Sequence, residues 1–212
     1  MARVFAWAGV ATLAAFAFLF DSDVGRVGCA LAALALIGIA APRSLRPACM
    51  VLAACALALL AAFGARMLLQ LLPALVAGFA AFVFARTLRR GRTPLIARAI
   101  AALDGAHRLE DPQVARYARR LTVIWAVYQA VLAVSGVLIA LHARGVLAGM
   151  RAGLPTPGVF GAAILPGAIA ALFAGEFLLR PHLLPQAPRR GLIAFASALV
   201  RAWPQLLDDN GS

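Results

Sequence analysis

The chain has 212 residues, of which 64% are hydrophobic and 13% charged, and its mean hydropathy is +0.91. Soluble domains sit nearer half apolar and a quarter charged, so the composition excludes an ordinary soluble globule and points to membrane helices. The net charge is +12 and every basic residue is arginine; in so apolar a chain that surplus first indicates membrane topology and anionic lipid, not nucleic acid.

The chain opens on "MARVFAWAGVATLAAFAFLFDSD", a basic residue, an apolar run and then acids. The run is longer than a signal-peptide core and no small-x-small cleavage site precedes the acids, so a retained first span is expected. Long uncharged runs predict six spans, roughly Val4 to Phe20, Val27 to Ala41, Ala48 to Phe63, Met67 to Ala85, Leu121 to Leu141 and Val159 to Leu179. Only "GAR" separates the third from the fourth, so one long broken helix is the alternative there. Cys29, Cys49 and Cys55 fall inside these runs without zinc-ligand spacing and are expected to be buried small hydrophobes.

With the N-terminus inside, Arg26, Arg66, Arg144 and Arg151 lie outside and the remaining sixteen of the twenty arginines lie inside. The positive-inside rule therefore places both termini in the cytoplasm. The expected fold is all-α: a polytopic helical bundle over residues 1–180, with a cytoplasmic helical hairpin at 86–120 and a cytoplasmic tail at 181–212.

The hairpin gathers the charge. Thr93 before Pro94 reads as a helix start, the hydroxyl capping free amides and the proline taking the first helical position. Ile96, Ile100 and Leu103 then share one face with Arg98 opposite, and Gly105 terminates an interfacial amphipathic helix. Asp111-Pro112 starts a second helix, which carries Arg116, Tyr117, Arg119 and Arg120 into the fifth span. Arg86, Arg89, Arg90 and Arg92 from one side and Arg116, Arg119 and Arg120 from the other form a cationic patch. Three roles compete for it: topology with anionic-lipid contact, docking of an acidic protein, or a phosphate site on a small substrate.

Glu176 is the one acid in a predicted span, and Arg180 follows at the spacing of a same-face ion pair. A structural pair is favoured over a proton relay or substrate contact, although an intramembrane acid is a functional candidate by default. Gln129, Ser135 and Gln70 are the other polar residues in the spans and are expected to hydrogen-bond between helices. Ala163, Gly167, Ala171 and Gly175 recur every four residues, a stripe expected to pack inside the bundle, and Pro166 is placed to kink its helix. His107, His142 and His182 are scattered, and no metal or cofactor motif is present. "LDGAHRLED" begins like a CDP-alcohol phosphotransferase signature but lacks its later glycine and aspartates, which excludes that class. Beyond Arg180, Leu192, Ala196, Leu199 and Trp203 predict a short interfacial helix.

"FARTLRRGRTPLIAR", "VARYARRLTVIWAVY" and "LFAGEFLLR", in that order, resemble an uncharacterised bacterial inner-membrane family encoded among aryl-polyene and xanthomonadin-like pigment biosynthesis genes. The resemblance spans roughly residues 70 to 180 and implies an accessory protein beside a fatty-acid-like assembly line whose intermediates ride on an acyl carrier protein. It brings no catalytic residues. Acyl carrier proteins are acidic, so the arginine patch would complement one. The expected function is thus a non-catalytic membrane accessory protein that docks a carrier protein or synthesis enzymes. A small transporter or flippase, with Gln129, Ser135 and Glu176 around one cavity, is the alternative, and a membrane acyltransferase the third reading.

Overall fold

A computed structural model describes residues 23–40, 45–147 and 153–183, and every regular element among them is helical. They are α1 (Asp23–Ala40), α2 (Arg46–Arg86), α3 (Leu95–Asp104), a 3-10 turn (Ala106–Glu110), α4 (Pro112–Ala143) and α5. The last runs continuously through Pro157–Val159, a π-helical turn Phe160–Ile164, and Leu165–Leu183. The expected first span and the interfacial helix around Trp203 lie outside the described residues.

Among the described residues, three helices are long and apolar enough to cross a membrane: α2, α4 and α5. The first of these is folded on itself. Gly64 has φ 79° and ψ 175°, a left-handed extended conformation that a Cβ would strain. Leu45 and Cys49 pack with Val83 and Phe79, whereas a straight helix would hold Leu45 roughly 57 Å from Val83. The arms 46–63 and 65–86 are therefore antiparallel, about 27 Å and about 33 Å long, each near the thickness of a bilayer core. The "GAR" joint is a helical reversal, which resolves the third and fourth sequence runs into separate arms.

Val27 and Leu34 of α1 pack on Ala56 and Leu68 of this hairpin. The return arm then packs along α4, with Met67 and Leu71 against Ala140 near the reversal and Ala77 against Leu132 further along. Outward faces are apolar: Val123, Ile124, Val127, Val131, Val134 and Leu138 of α4 are all exposed. That continuous hydrophobic belt would be unfavourable against water and suits lipid.

Pro166 leaves its mark one turn earlier. Proline lacks an N–H and its ring crowds the carbonyl four residues back, and the helix widens into the π turn at Phe160–Ile164 just before it. The turn seats Phe160, 2% exposed, against α4. There a Cβ on Gly136 would sit 2.8 Å from the ring atom Phe160 Cε1 and 2.9 Å from Ala74 Cβ of α2. Away from this crossing, α4 and α5 no longer pack backbone to backbone. They form a V, bridged by long side chains.

Among the described residues, the small-residue stripe is not packed inside the bundle. Ala163, Gly167 and Ala171 are exposed, and a Cβ built on Gly167 or Gly175 meets nothing within 4 Å. The tight crossing uses Gly136 and Gly161 instead, the latter 2.7 Å from Pro73 Cγ by the same measure. Cysteine burial also departs from expectation at one position: Cys29 and Cys49 are buried, but Cys55 is exposed on the outbound arm.

Candidate functional site

The open end of the V is covered by α3, whose start is not capped as the sequence suggests. Pro94, not Thr93, is the N-cap, and neither supplies a side-chain hydrogen bond to the helix. The amides at the helix start are satisfied from elsewhere in the fold. Leu95 N donates to Thr87 Oγ1 at 3.1 Å, and Ile96 N donates to Thr122 Oγ1 at 3.4 Å. Each threonine also donates to its own helix, Thr87 to Phe84 O and Thr122 to Ala118 O. Thr93 contributes its carbonyl, which accepts from Arg98 Nε at 3.1 Å. Gly105, at φ 94°, ends α3 as expected, its N–H donating to Ala101 O.

The second helix start follows the sequence. Asp111 Oδ1 accepts from Gln113 N at 2.8 Å and Pro112 occupies the first turn of α4. Ala97 and Ile100 pack on Val114 and Ala118, so residues 86–120 fold as a unit. Arg119 Nη2 donates to Leu88 O at 3.3 Å and ties the two ends of that unit together. Arg89, Arg90, Arg92, Arg116, Arg119 and Arg120 are all exposed. Arg86 is not part of that surface: it is 8% exposed, drawn inside at the end of the return arm. Arg98 is half-buried.

Tyr117 also turns away from the patch. Its hydroxyl donates to Glu176 Oε1 at 2.9 Å, a bond across the V between residues 59 apart in the chain. Arg180 Nε lies 3.6 Å from the same oxygen, giving the expected ion pair with Glu176, whose side chain is only 8% exposed. Burial raises the Tyr117 pKa well above its ordinary value; the Glu176 charge and hydrogen bond raise it further, and Arg180 partly opposes them. Tyr117 therefore stays a donor throughout the physiological range. One helical turn or more deeper, Trp125 bridges the same gap. It stacks on Phe84 at 5.6 Å and 12° and meets Phe173 edge-on at 5.3 Å and 70°. Deeper still, Tyr128 Oη donates to Ala168 O at 3.1 Å.

These bridges divide the V into two spaces that share Leu121 and Glu176 as walls. On one side is a groove of about 600 Å³, with Arg116 and Arg120 at its rim and Ile124, Leu172 and Leu179 along its floor. On the other, beneath α3, is an apolar chamber of about 260 Å³ walled by Phe84, Ile96, Trp125 and Phe173, with Gln129 and Arg180 also lining it. Gln129 is 4% exposed and its Oε1 has no hydrogen-bond partner among the described residues. A buried amide oxygen left so costs about 1–3 kcal/mol. Gln70 Oε1 is similarly without a partner, so neither glutamine oxygen makes the inter-helical bond expected of it. Ser135 is half-buried on α4 and does not line the chamber.

Of the residues the sequence singled out, Gln129, Glu176 and Arg180 share one chamber, and six arginines share one surface. Thr87, Thr122, Trp125 and Phe173 were not singled out by sequence. A threonine beside a helix end carries no mark of a cap supplied from another helix, and aromatics at helical spacing read as core. Among the described residues no cluster of histidine, cysteine, aspartate or glutamate could hold a metal ion. Comparison of the chain with protein-family models, curated proteins and solved structures finds no match.

Proposed function

We propose that this is a non-catalytic, six-span inner-membrane accessory protein, both termini cytoplasmic, whose residues 86–120 dock an acidic soluble partner. The observation that carries the proposal is the exposure of Arg89, Arg90, Arg92, Arg116, Arg119 and Arg120 on one folded unit. A loop needed only to mark topology has no need of α3, its two borrowed caps or the Arg119 tether. A rigid cationic surface speeds encounter with an anionic one and loses less entropy on binding than a floppy tether. The pigment-cluster resemblance supplies the candidate partner, an acyl carrier protein or a synthesis enzyme that works with one.

The test is co-purification in detergent with an acidic acyl carrier protein. The wild type should retain it at low salt and release it progressively as screening shortens electrostatic range. Reversing Arg89, Arg90, Arg116 and Arg120 to glutamate, which spares the Arg119 tether, should abolish retention while the helical signal is unchanged. Retention that ignores both salt and charge reversal would end the docking reading.

One observation favours a second reading, a small transporter or flippase. Gln129 and Glu176 line a single chamber, and the neighbouring groove joins a cationic rim to an apolar floor. That combination suits an amphiphile with an anionic head. Ser135 stands apart from it, which shortens the pathway the sequence suggested.

A further inference from the structure

The groove between α4 and α5 turns from polar to apolar along a single stripe of α4. Gln113, Arg116, Arg120 and Ile124 all line it, and their spacing of three or four residues puts them on one helix face. The stripe covers about 16 Å of helix, close to half the roughly 30 Å thickness of a bilayer core and so to the depth of one leaflet. From this arrangement we infer that the groove is a binding site for one anionic phospholipid of the surrounding bilayer. Its phosphate sits at Arg116 and Arg120, and an acyl chain lies against Ile124, Ala171 and Leu172. This deepens the amphiphile reading of the groove and rests on it for the chemistry, but requires only that the lipid be held, not moved.

Three observations select that occupant. The first is charge. Glu176, the acid among the lining residues, already accepts from Tyr117 and pairs with Arg180. The charges of Arg116 and Arg120, both exposed, are therefore left unbalanced among the residues that line the groove. Arg116 Nε donates to Pro112 O at 3.1 Å, which holds its guanidinium beside the start of α4. Two guanidiniums one turn apart suit a phosphate and repel the ammonium of a zwitterionic head. The second is room. Ala171 and Gly175, half of the four-residue stripe of small side chains, line this groove, and a Cβ on Gly175 meets nothing within 4 Å. A groove of about 600 Å³ set in a bilayer is filled by hydrocarbon, because bare apolar walls forfeit dispersion contacts. The third is what the rest of the chain can offer. Residues 184–212 carry three arginines against two aspartates and residues 4–20 carry no charge, so neither segment brings net negative charge to the mouth. A soluble acidic protein could meet the arginines but would leave Ile124 and Leu172 bare.

The full chain in detergent is titrated with dioleoyl-phosphatidylglycerol and separately with dioleoyl-phosphatidylcholine, and native mass spectrometry counts the lipids bound. The first phosphatidylglycerol should saturate at one per chain, about 10- to 30-fold more tightly than phosphatidylcholine, the increment expected of two arginines beside an anionic head. Arg116→Gln with Arg120→Gln should erase that preference. Arg89→Gln with Arg90→Gln, which removes the same charge from the same surface, should keep it. Gly175→Leu fills the groove, keeps every arginine and should weaken the first phosphatidylglycerol about tenfold; Ala171→Leu, at an exposed position, serves if Gly175→Leu does not fold. Glycerophosphoglycerol, the head without its chains, should not displace the lipid at constant ionic strength. Movement of a fluorescent phosphatidylglycerol between proteoliposome leaflets is measured beside it: a lipid held but not moved supports this site and removes only the transport reading. Equal binding of the two lipids, equal loss from the two arginine pairs, displacement by the head alone, or no saturable adduct because residues 184–212 or a second copy cover the groove, would overturn the assignment.

Discussion

The crossing at Gly136 sets the apex of the V, and a single methyl group tests it. An alanine there places its Cβ 2.8 Å from Phe160 Cε1 and 2.9 Å from Ala74 Cβ, against an optimum of about 3.5–4.0 Å for carbon pairs. Phe160 is 2% exposed and cannot swing out, and the Ala74 methyl moves only with its backbone. Overpacking of this kind costs about 1–3 kcal/mol, from which about 1 kcal/mol of improved helix propensity is recovered. Gly175→Ala is the matched control, because its new methyl meets nothing within 4 Å and keeps only the propensity gain. The two variants should therefore differ in stability by about 1–3 kcal/mol, with Gly136→Ala the weaker. For a chain of this length that corresponds to a melting difference of roughly 2–12 °C, read by loss of helical circular dichroism in detergent. If Gly136→Ala melts with or above Gly175→Ala, α4 and α5 do not cross as described.

Other perturbations report on the open end. Tyr117→Phe removes a hydrogen bond to a buried carboxylate and should destabilise the fold by about 1.5–3 kcal/mol, more than Tyr128→Phe, whose acceptor is a neutral carbonyl. The Tyr117 pKa is raised in the folded state, so its contribution is complete below the ordinary tyrosine pKa of about 10 and is lost as pH rises beyond it. In a difference spectrum between wild type and Tyr117→Phe, native protein at pH 10–11 should show almost no tyrosinate from Tyr117, and the signal should appear on unfolding. Ionisation of Tyr117 at its ordinary pH in folded protein would contradict the burial. Thr122→Val should remove a borrowed cap worth about 1 kcal/mol and speed amide exchange in Leu95–Asp104 without changing exchange in the deep part of α4.

Much of the helical layout was legible because each run had a simple physical signature. Uncharged length marked α2, α4 and α5, and Asp111-Pro112 marked where α4 begins. The break at Gly64 was visible as a place but not as an angle, since "GAR" is compatible with a bend or a full reversal until Leu45 is seen beside Val83. Thr93-Pro94 misled because local capping was the only kind a sequence pattern can show, whereas the cap comes from Thr87 and Thr122. The stripe ending at Gly175 misled for a related reason: close approach depends on where the partner helix lies, and it lies against Gly136 and Gly161. At the site, the Glu176–Arg180 spacing showed the ion pair, but Tyr117 looked like one more member of a charged face. Its partner sits across the V, beyond the reach of helical periodicity.

Sidedness of residues 86–120 tests the account most directly. In whole cells, with Cys29, Cys49 and Cys55 replaced by alanine, single cysteines are introduced at Arg92 and at Arg144, which are exposed at opposite ends of the bundle. A membrane-impermeant maleimide should label the Arg144→Cys protein in intact cells and the Arg92→Cys protein only after lysis. Labelling of Arg92→Cys in intact cells, with Arg144→Cys protected, would place the arginine surface outside, where no acidic cytoplasmic partner could meet it.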